Sequence, residues 1–249
     1  MANIMIPENL PLSPALKSNL VDLKENIAAI GEFRIPRLKA TSGGLQRSED
    51  EEPFTNYKGV LIGTRKTRAY YAKAYRPGEL TPPDCYSNDW IAPAGDVAKP
   101  LNPTCKGCPM DAWETNSMGS GKACRSLRPL YFLEVLDDGN VSPIPQMILI
   151  TPTSLKALDT YLMGLSQRGK AYKTVITSVT WAKKNAKDTY GVLNFSFDKA
   201  LETEAKNDAA ALASVWANVI DAQVIEQDEV ESNAEKETPN VEKAKGGQF

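Results

Sequence analysis

The sequence predicts a mainly β protein with flanking helices (α+β), arranged as a small antiparallel barrel with a long four-cysteine insertion. Three observations predict it. About six short runs of β-branched and aromatic residues lie between 33 and 200, bounded by turn residues. Strands and helices do not alternate regularly, which argues against a doubly wound parallel sheet. All four cysteines fall in one Pro- and Gly-rich stretch at 77–127, too long for an unstapled loop.

The elements follow in order. Residues 13–30 (SPALKSNLVDLKENIAAI) read as a helix. Ser13 can cap it and Pro14 suits its first position. Leu16, Leu20, Leu23, Ile27 and Ile30 recur at spacings of three and four, and Gly31 ends it. Residues 33–40 (FRIPRLKA) read as a strand interrupted by Pro36, which places it at an edge. Residues 41–55 are a polar loop. Residues 56–76 (NYKGVLIGTRKTRAYYAKAYR) read as two strands joined near Gly63-Thr64-Arg65. A strand at 128–137, an Asp138-Gly139 turn and a return at 144–150 make a hairpin.

The next helix spans 153–167, with Thr153 or Ser154 as its cap. Its apolar side carries Leu155, Leu158, Tyr161, Leu162 and Leu165, and Gly169 ends it. Residues 172–182 and 189–197 read as strands. Residues 199–220 form an Ala-rich helix burying Leu212, Val215, Trp216, Val219 and Ile220. The organisation is therefore an N-terminal helical segment at 1–32, a barrel domain at 33–222 with its cysteine loop at about 77–127, and a tail at 223–249.

Composition narrows the function. The chain has 249 residues, 42% apolar and 24% charged, within the range of ordinary globular proteins. It has no histidine, which excludes a Ser-His-Asp triad, a Cys-His pair, an HExxH zinc helix and a histidine general base. The start, MANIMIPENLPLSP, lacks the pattern of a secretory signal, and no run approaches the roughly 18 apolar residues of a membrane helix. A cytoplasmic location is expected, where clustered thiols bind metal more often than they pair.

Charge is uneven. The total is −2, but residues 226–249 carry −4 and 201–225 carry −3, leaving +5 on residues 1–200. The tail has almost no large apolar residue before Phe249 and is expected to be disordered, either as a solubiliser or as a partner-binding segment.

Cys85, Cys105, Cys108 and Cys124 follow the spacing Cys-x19-Cys-x2-Cys-x15-Cys. Two thiolates separated by two residues converge on one ion, and Gly107 relieves the turn. Four sulfurs and no imidazole indicate structural zinc, closed and non-catalytic. An iron–sulfur cluster is the second reading, since Cys108-Pro109 resembles ferredoxin text. Four unrelated buried cysteines are the bland alternative. The Gly119-Ser120-Gly121-Lys122 run is not a phosphate loop, because Ala123 follows the lysine and the upstream glycine is missing.

Two stretches contain cations and rings but no acid. The first, 58–76, holds Lys58, Arg65, Lys66, Arg68, Tyr70, Tyr71, Lys73, Tyr75 and Arg76, preceded by Tyr57. The second, 168–187, holds Arg168, Lys170, Tyr172, Lys173, Trp181, Lys183, Lys184 and Lys187. Lys106, Lys122, Arg125 and Arg128 add cations around the cysteines. Cations that follow phosphates and rings that stack on exposed bases are what a single strand requires. The competing reading is a solvated basic face. The five-stranded oligonucleotide-binding barrel is one small barrel whose loops take part in such binding.

The runs CKGCPMDAW, GKACR and ILITPTSLKALDTYL, within roughly 55–200, resemble zinc-containing bacteriophage single-stranded DNA-binding proteins. That resemblance implies an oligonucleotide-binding barrel, a structural zinc and an acidic tail that recruits replication or recombination proteins. Only the four cysteines carry over as ligands, since the common phage form includes a histidine. A tail ending in an aromatic, here Phe249, fits the class, whereas Lys243, Lys245 and Gly246-Gly247-Gln248 depart from it.

The leading expectation is a non-enzymatic protein that binds single-stranded DNA in phage-type replication or recombination, with little dependence on base sequence and possible self-association. The alternative is a regulator or adaptor that binds a host protein through its zinc loop. A third reading, a metal-dependent nuclease, would draw on Asp84, Asp89, Asp96 and Asp111.

Overall fold

The run RSLRPLYFLE at 125–134 offers apolar side chains to both of its faces, so it belongs in the middle of a sheet. A computed structural model describes residues 12–14, 16–18, 26, 29, 34–47, 51–73, 81–116, 121–183 and 191–223. Its strands are β1 (Arg37–Ala40), β2 (Leu45–Gln46), β3 (Asn56–Thr64), β4 (Thr67–Tyr70), β5 (Cys85–Ser87), β6 (Arg125–Glu134), β7 (Gln146–Ile150), β8 (Val175–Lys183) and β9 (Gly191–Ala200). Two long helices, α1 (Pro152–Gln167) and α2 (Thr203–Ala222), flank them. The strands make one curled half-barrel in the order β2-β1-β7-β6-β3-β8-β9, and β4 joins β6 to β5.

The sheet is mixed, which corrects the all-antiparallel expectation. β1 runs parallel to β7, with Arg37 opposite Met147 and Leu38 opposite Ile148. Nor is β1 an edge. It starts after Pro36, so the missing proline N–H costs the ladder nothing, and the Pro36 carbonyl accepts a bond from Met147 N–H at 2.8 Å. The expected polar loop at 41–55 contains the two-residue β2, which covers β1.

β3 and β4 do not form a hairpin. Both run antiparallel to β6, with Thr64 opposite Leu130 and Thr67 opposite Leu127. They behave as one long strand interrupted at Arg65-Lys66, opposite Arg128-Pro129. A proline has no N–H to give a ladder, which accounts for the break falling there. β6 and β7 form the expected hairpin. Gly139 has φ +84°, and the Asp138 carboxylate accepts the Asn140 N–H at 2.9 Å.

Each face of the sheet carries a core. On the α2 side, Val60, Ile62, Tyr131, Leu133, Met147 and Leu149 pack with Leu212 and Trp216. On the α1 side, Tyr57, Leu61, Leu130, Phe132, Ile148 and Val179 pack with Leu158. Helix α1 is capped at Thr151 with Pro152 in its first turn, rather than at Thr153 or Ser154. The Ser154 hydroxyl instead accepts the buried N–H of Leu193 at 3.0 Å, joining α1 to β9. α2 starts at Thr203, because 199 and 200 complete β9.

Pro14, Leu16, Lys17 and Ser18 are helical, and Ser13 caps them by accepting the Leu16 N–H at 3.4 Å. Ser13 is anchored to α2, where buried Asp208 accepts its N–H and its hydroxyl, each at 2.7 Å. Leu20, Leu23, Ile27, Ile30 and Gly31 lie outside the described residues, as does the tail beyond 223. Among the described residues no helix is long and apolar enough to cross a membrane.

Candidate metal centre and basic surface

The sheet brings the four cysteines to one place. Cys85 opens β5 opposite Tyr70 of β4, and Cys124 immediately precedes Arg125, which opposes Ala69 of the same strand. Two cysteines 39 positions apart thus flank the end of β4. The Cys105-x-x-Cys108 pair forms a tight turn above them. Cys108 N–H approaches the Cys105 carbonyl at 3.4 Å, and Gly107 takes φ +78°, a left-handed conformation that a side chain would strain. Cys105 N–H donates to the Ile91 carbonyl and Cys124 N–H to the Met110 carbonyl, both at 2.8 Å. These bonds tie the outer pair of thiols to the inner pair.

All four thiols line one small cavity, together with Arg68, Tyr70 and Tyr86. No disulfide links them. Burial pushes the Cys124 thiol up to about 12, and the other three cysteines push the same way against the pull of Arg68. A thiolate here therefore needs a cation beside it. Four soft sulfurs without an imidazole are a donor set that zinc takes. Among the described residues no group of three or more cysteine or acidic side chains is already at metal-holding separation.

An ionic bridge braces this lobe. Asp111, in the short turn Pro109–Asp111, meets Arg68 of β4 at 2.8 Å and Lys122 at 2.9 Å. Arg68 and Lys122, expected to face phosphates, are thus engaged within the protein.

Trp90 is a feature the sequence reading missed. Its indole N–H donates to the Thr67 carbonyl at 2.7 Å. Its ring lies 5.5 Å from the Lys66 ammonium and 5.9 Å from the Arg128 guanidinium, the two cations at the β3–β4 break. Trp90 thus pins the cysteine lobe at the break in the ladder. Its own φ of +68° is unusual for a bulky residue. No periodic signal marks such a position.

The other expected site residues fall into distinct groups. Lys58 is exposed and pairs with Asp198 at 3.1 Å, while Arg65 donates to the Asp221 carbonyl at 2.9 Å. Lys73, Lys106, Lys173 and Lys183 are exposed, and Arg125 is half-buried. Lys170 sits over the Phe197 ring at 5.1 Å. Tyr75, Arg76, Lys184 and Phe249 lie outside the described residues.

The strand rings are largely committed to the interior. Tyr57 is 3% exposed and meets Phe132 edge-on, which removes it from the stacking set. Tyr70 lines the thiol cavity, and Tyr71 packs against the α2-side core. Tyr172 and Trp181 pack against the α1-side core. The Trp181 indole lies on Gly191, where a Cβ would come within 1.9 Å of its ring nitrogen.

The four nuclease candidates are dispersed. Asp84 accepts the Ala72 N–H at 2.7 Å, Asp89 accepts the Ile91 N–H at 2.7 Å, and Asp96 receives the Tyr86 hydroxyl. Asp111 holds its two cations, so each of the four carboxylates is engaged by a different partner. No family model, no curated protein and no solved structure matches the chain.

Proposed function

We propose that the chain binds single-stranded nucleic acid without catalysis, in the manner of the phage DNA-binding proteins it resembles. In this reading its curled sheet is an oligonucleotide-binding type of platform and its cysteine lobe is held by zinc. One observation carries the reading. The two acid-free basic stretches, far apart in sequence, lie on adjacent strands, since β3 pairs with β8 from Asn56↔Thr180 to Gly59↔Thr177. Alternation then puts Asn56 and Lys58 on the same face as Ser178 and Thr180, with Asn194 and Ser196 beside them on β9. That stretch of face is polar and bears Lys58, paired there with Asp198 of β9, and Lys183 is exposed at the end of β8. Ammonium and hydroxyl groups in a row suit a phosphate backbone, which is read largely by charge.

The test is a fluorescence titration of the full chain with an oligo-dT strand, with duplex competitor, at two salt concentrations. Strong single-strand preference and affinity falling steeply with salt are the expected results. Affinity that ignores salt would overturn the reading. Absence of binding at low salt would move the role to an adaptor acting through the cysteine lobe. Elemental analysis of the same sample should find one zinc per chain. Iron with visible absorption would replace zinc with a cluster.

A further inference from the structure

We infer that the cysteine lobe is part of the nucleic-acid path, and that Trp113 is the ring on which a nucleobase stacks there. The inference rests on the single-strand reading above and adds to it a contact outside the sheet. Trp113 is 75% exposed, the highest value among the exposed large hydrophobic residues. A tryptophan buries more apolar area than almost any other side chain when covered, so leaving one in water forgoes a large gain. The other three tryptophans are occupied. Trp216 is 1% exposed in the core, Trp181 lies on Gly191, and Trp90 pins the lobe. Of the tyrosines expected to stack, Tyr57 is buried, Tyr70, Tyr71 and Tyr172 are half-buried, and Tyr75 lies outside the described residues. Trp113 is the exposed indole among the described residues, and base–aromatic stacking needs an accessible ring.

Its setting holds the ring in place. The short turn Pro109–Asp111 precedes it, and Asp111 in that turn is clamped by Arg68 and Lys122. Thr115 fixes the far side, its hydroxyl donating to the Ala112 carbonyl at 2.8 Å and accepting the Ala123 N–H at 3.0 Å. The backbone around Trp113 is thus anchored on both sides while its side chain stays in water.

Charge gives the contact a distinctive signature. Residues 81–124 carry five acids and three lysines, so the lobe is not the part that attracts phosphate. Stacking at Trp113 should strengthen binding by a factor that does not change with salt, whereas lysines on the sheet set the salt slope.

The experiment compares the wild-type chain with Trp113→Phe and Trp113→Ala, using oligo-dT at several salt concentrations. Wild type should show quenching of a red-shifted emission, since Trp113 is the exposed indole. Both variants should lose most of that quenching. Affinity, read by anisotropy of a labelled strand, should fall about 5- to 150-fold in Trp113→Ala, with an unchanged salt slope. Trp113→Phe, which keeps a ring, should retain most of the affinity. Unaltered zinc content and thermal midpoint would show that the lobe stays folded. Wild-type binding with unchanged affinity and quenching in Trp113→Ala would overturn the inference and leave the single-strand reading standing. An oligonucleotide that binds none of the three proteins would overturn both and leave Trp113 to a protein partner.

Discussion

Gly191 shows how one residue without a side chain can fix another's place. A Cβ there would lie within 2.0 Å of two atoms of the Trp181 indole, so Gly191→Ala must displace the ring. Overpacking of this kind costs about 1–3 kcal/mol, and denaturant unfolding of the variant should show a loss in that range. The emission of Trp181 should shift to the red at the same time.

Asp111 sets a pH dependence. Burial raises its pKa, but the hydrogen bonds and charges of Arg68 and Lys122 outweigh burial and hold the carboxyl below its usual 3.8. A group with a depressed folded value contributes stability that is fully present above the unfolded value and lost as pH falls through the folded one. Asp111→Asn should therefore lower stability at neutral pH and flatten the acid side of the curve below about pH 4. Denaturant midpoints measured stepwise from pH 6 to pH 2 would show it.

At the scale of elements, the cysteine lobe hangs from the sheet by β4, β5, Trp90 and the bond from Cys124 to Met110. On the zinc proposal, a chelator should loosen the lobe and leave the curled sheet intact. Hydrogen exchange should accelerate at the amides of Cys105, Cys108 and Cys124 and stay slow at Leu130 and Ile148. Cys124→Ser should reproduce the pattern without chelator. Equal acceleration at Leu130 would mean that the lobe and the curled sheet unfold as one.

Much at this scale was legible beforehand. Runs of β-branched and aromatic residues located β3, β8 and β9, Asp138-Gly139 located the β6–β7 hairpin, and leucine spacing located α1. α2 showed through Leu212, Trp216, Val219 and Ile220, although Asp208 is also buried because Ser13 satisfies it. What stayed hidden depends on distant partners. The parallel pairing of β1 is set by β7, the β3–β4 break by Pro129 on the neighbouring strand, and the role of Trp90 by a gap in the ladder. How far each strand ring is buried was also hidden, since a tyrosine reads alike whether it faces the core or water. Trp113 gave no periodic signal at all.

For the whole molecule, the two cores divide the burden. Trp216 joins α2 to the sheet, 1% exposed, with its indole N–H donating to the Pro143 carbonyl at 2.9 Å. Trp216→Ala should cost about 3–5 kcal/mol by leaving a cavity and an unpaired carbonyl, a loss visible in the thermal midpoint. Charge is also a property of the whole. Lys183→Ala should weaken oligonucleotide binding and reduce the slope of log affinity against log salt by about 1 if that lysine meets a phosphate. A slope equal to that of wild type would remove Lys183 from the contact set.

The pairing of β3 bears on the order in which the chain takes shape during synthesis. The cysteine lobe is local, its four thiols lying between 85 and 124. β3 must wait for both neighbours, and the second, β8, ends only at Lys183. At a ribosomal pace of about 5–20 residues per second, roughly 3–12 s separate the emergence of Cys124 from that of Lys183. During that interval β3 has an open edge while the lobe is already complete in sequence. A lobe that closes early holds β4 and the start of β6 together, and so presets the register in which β3 later pairs.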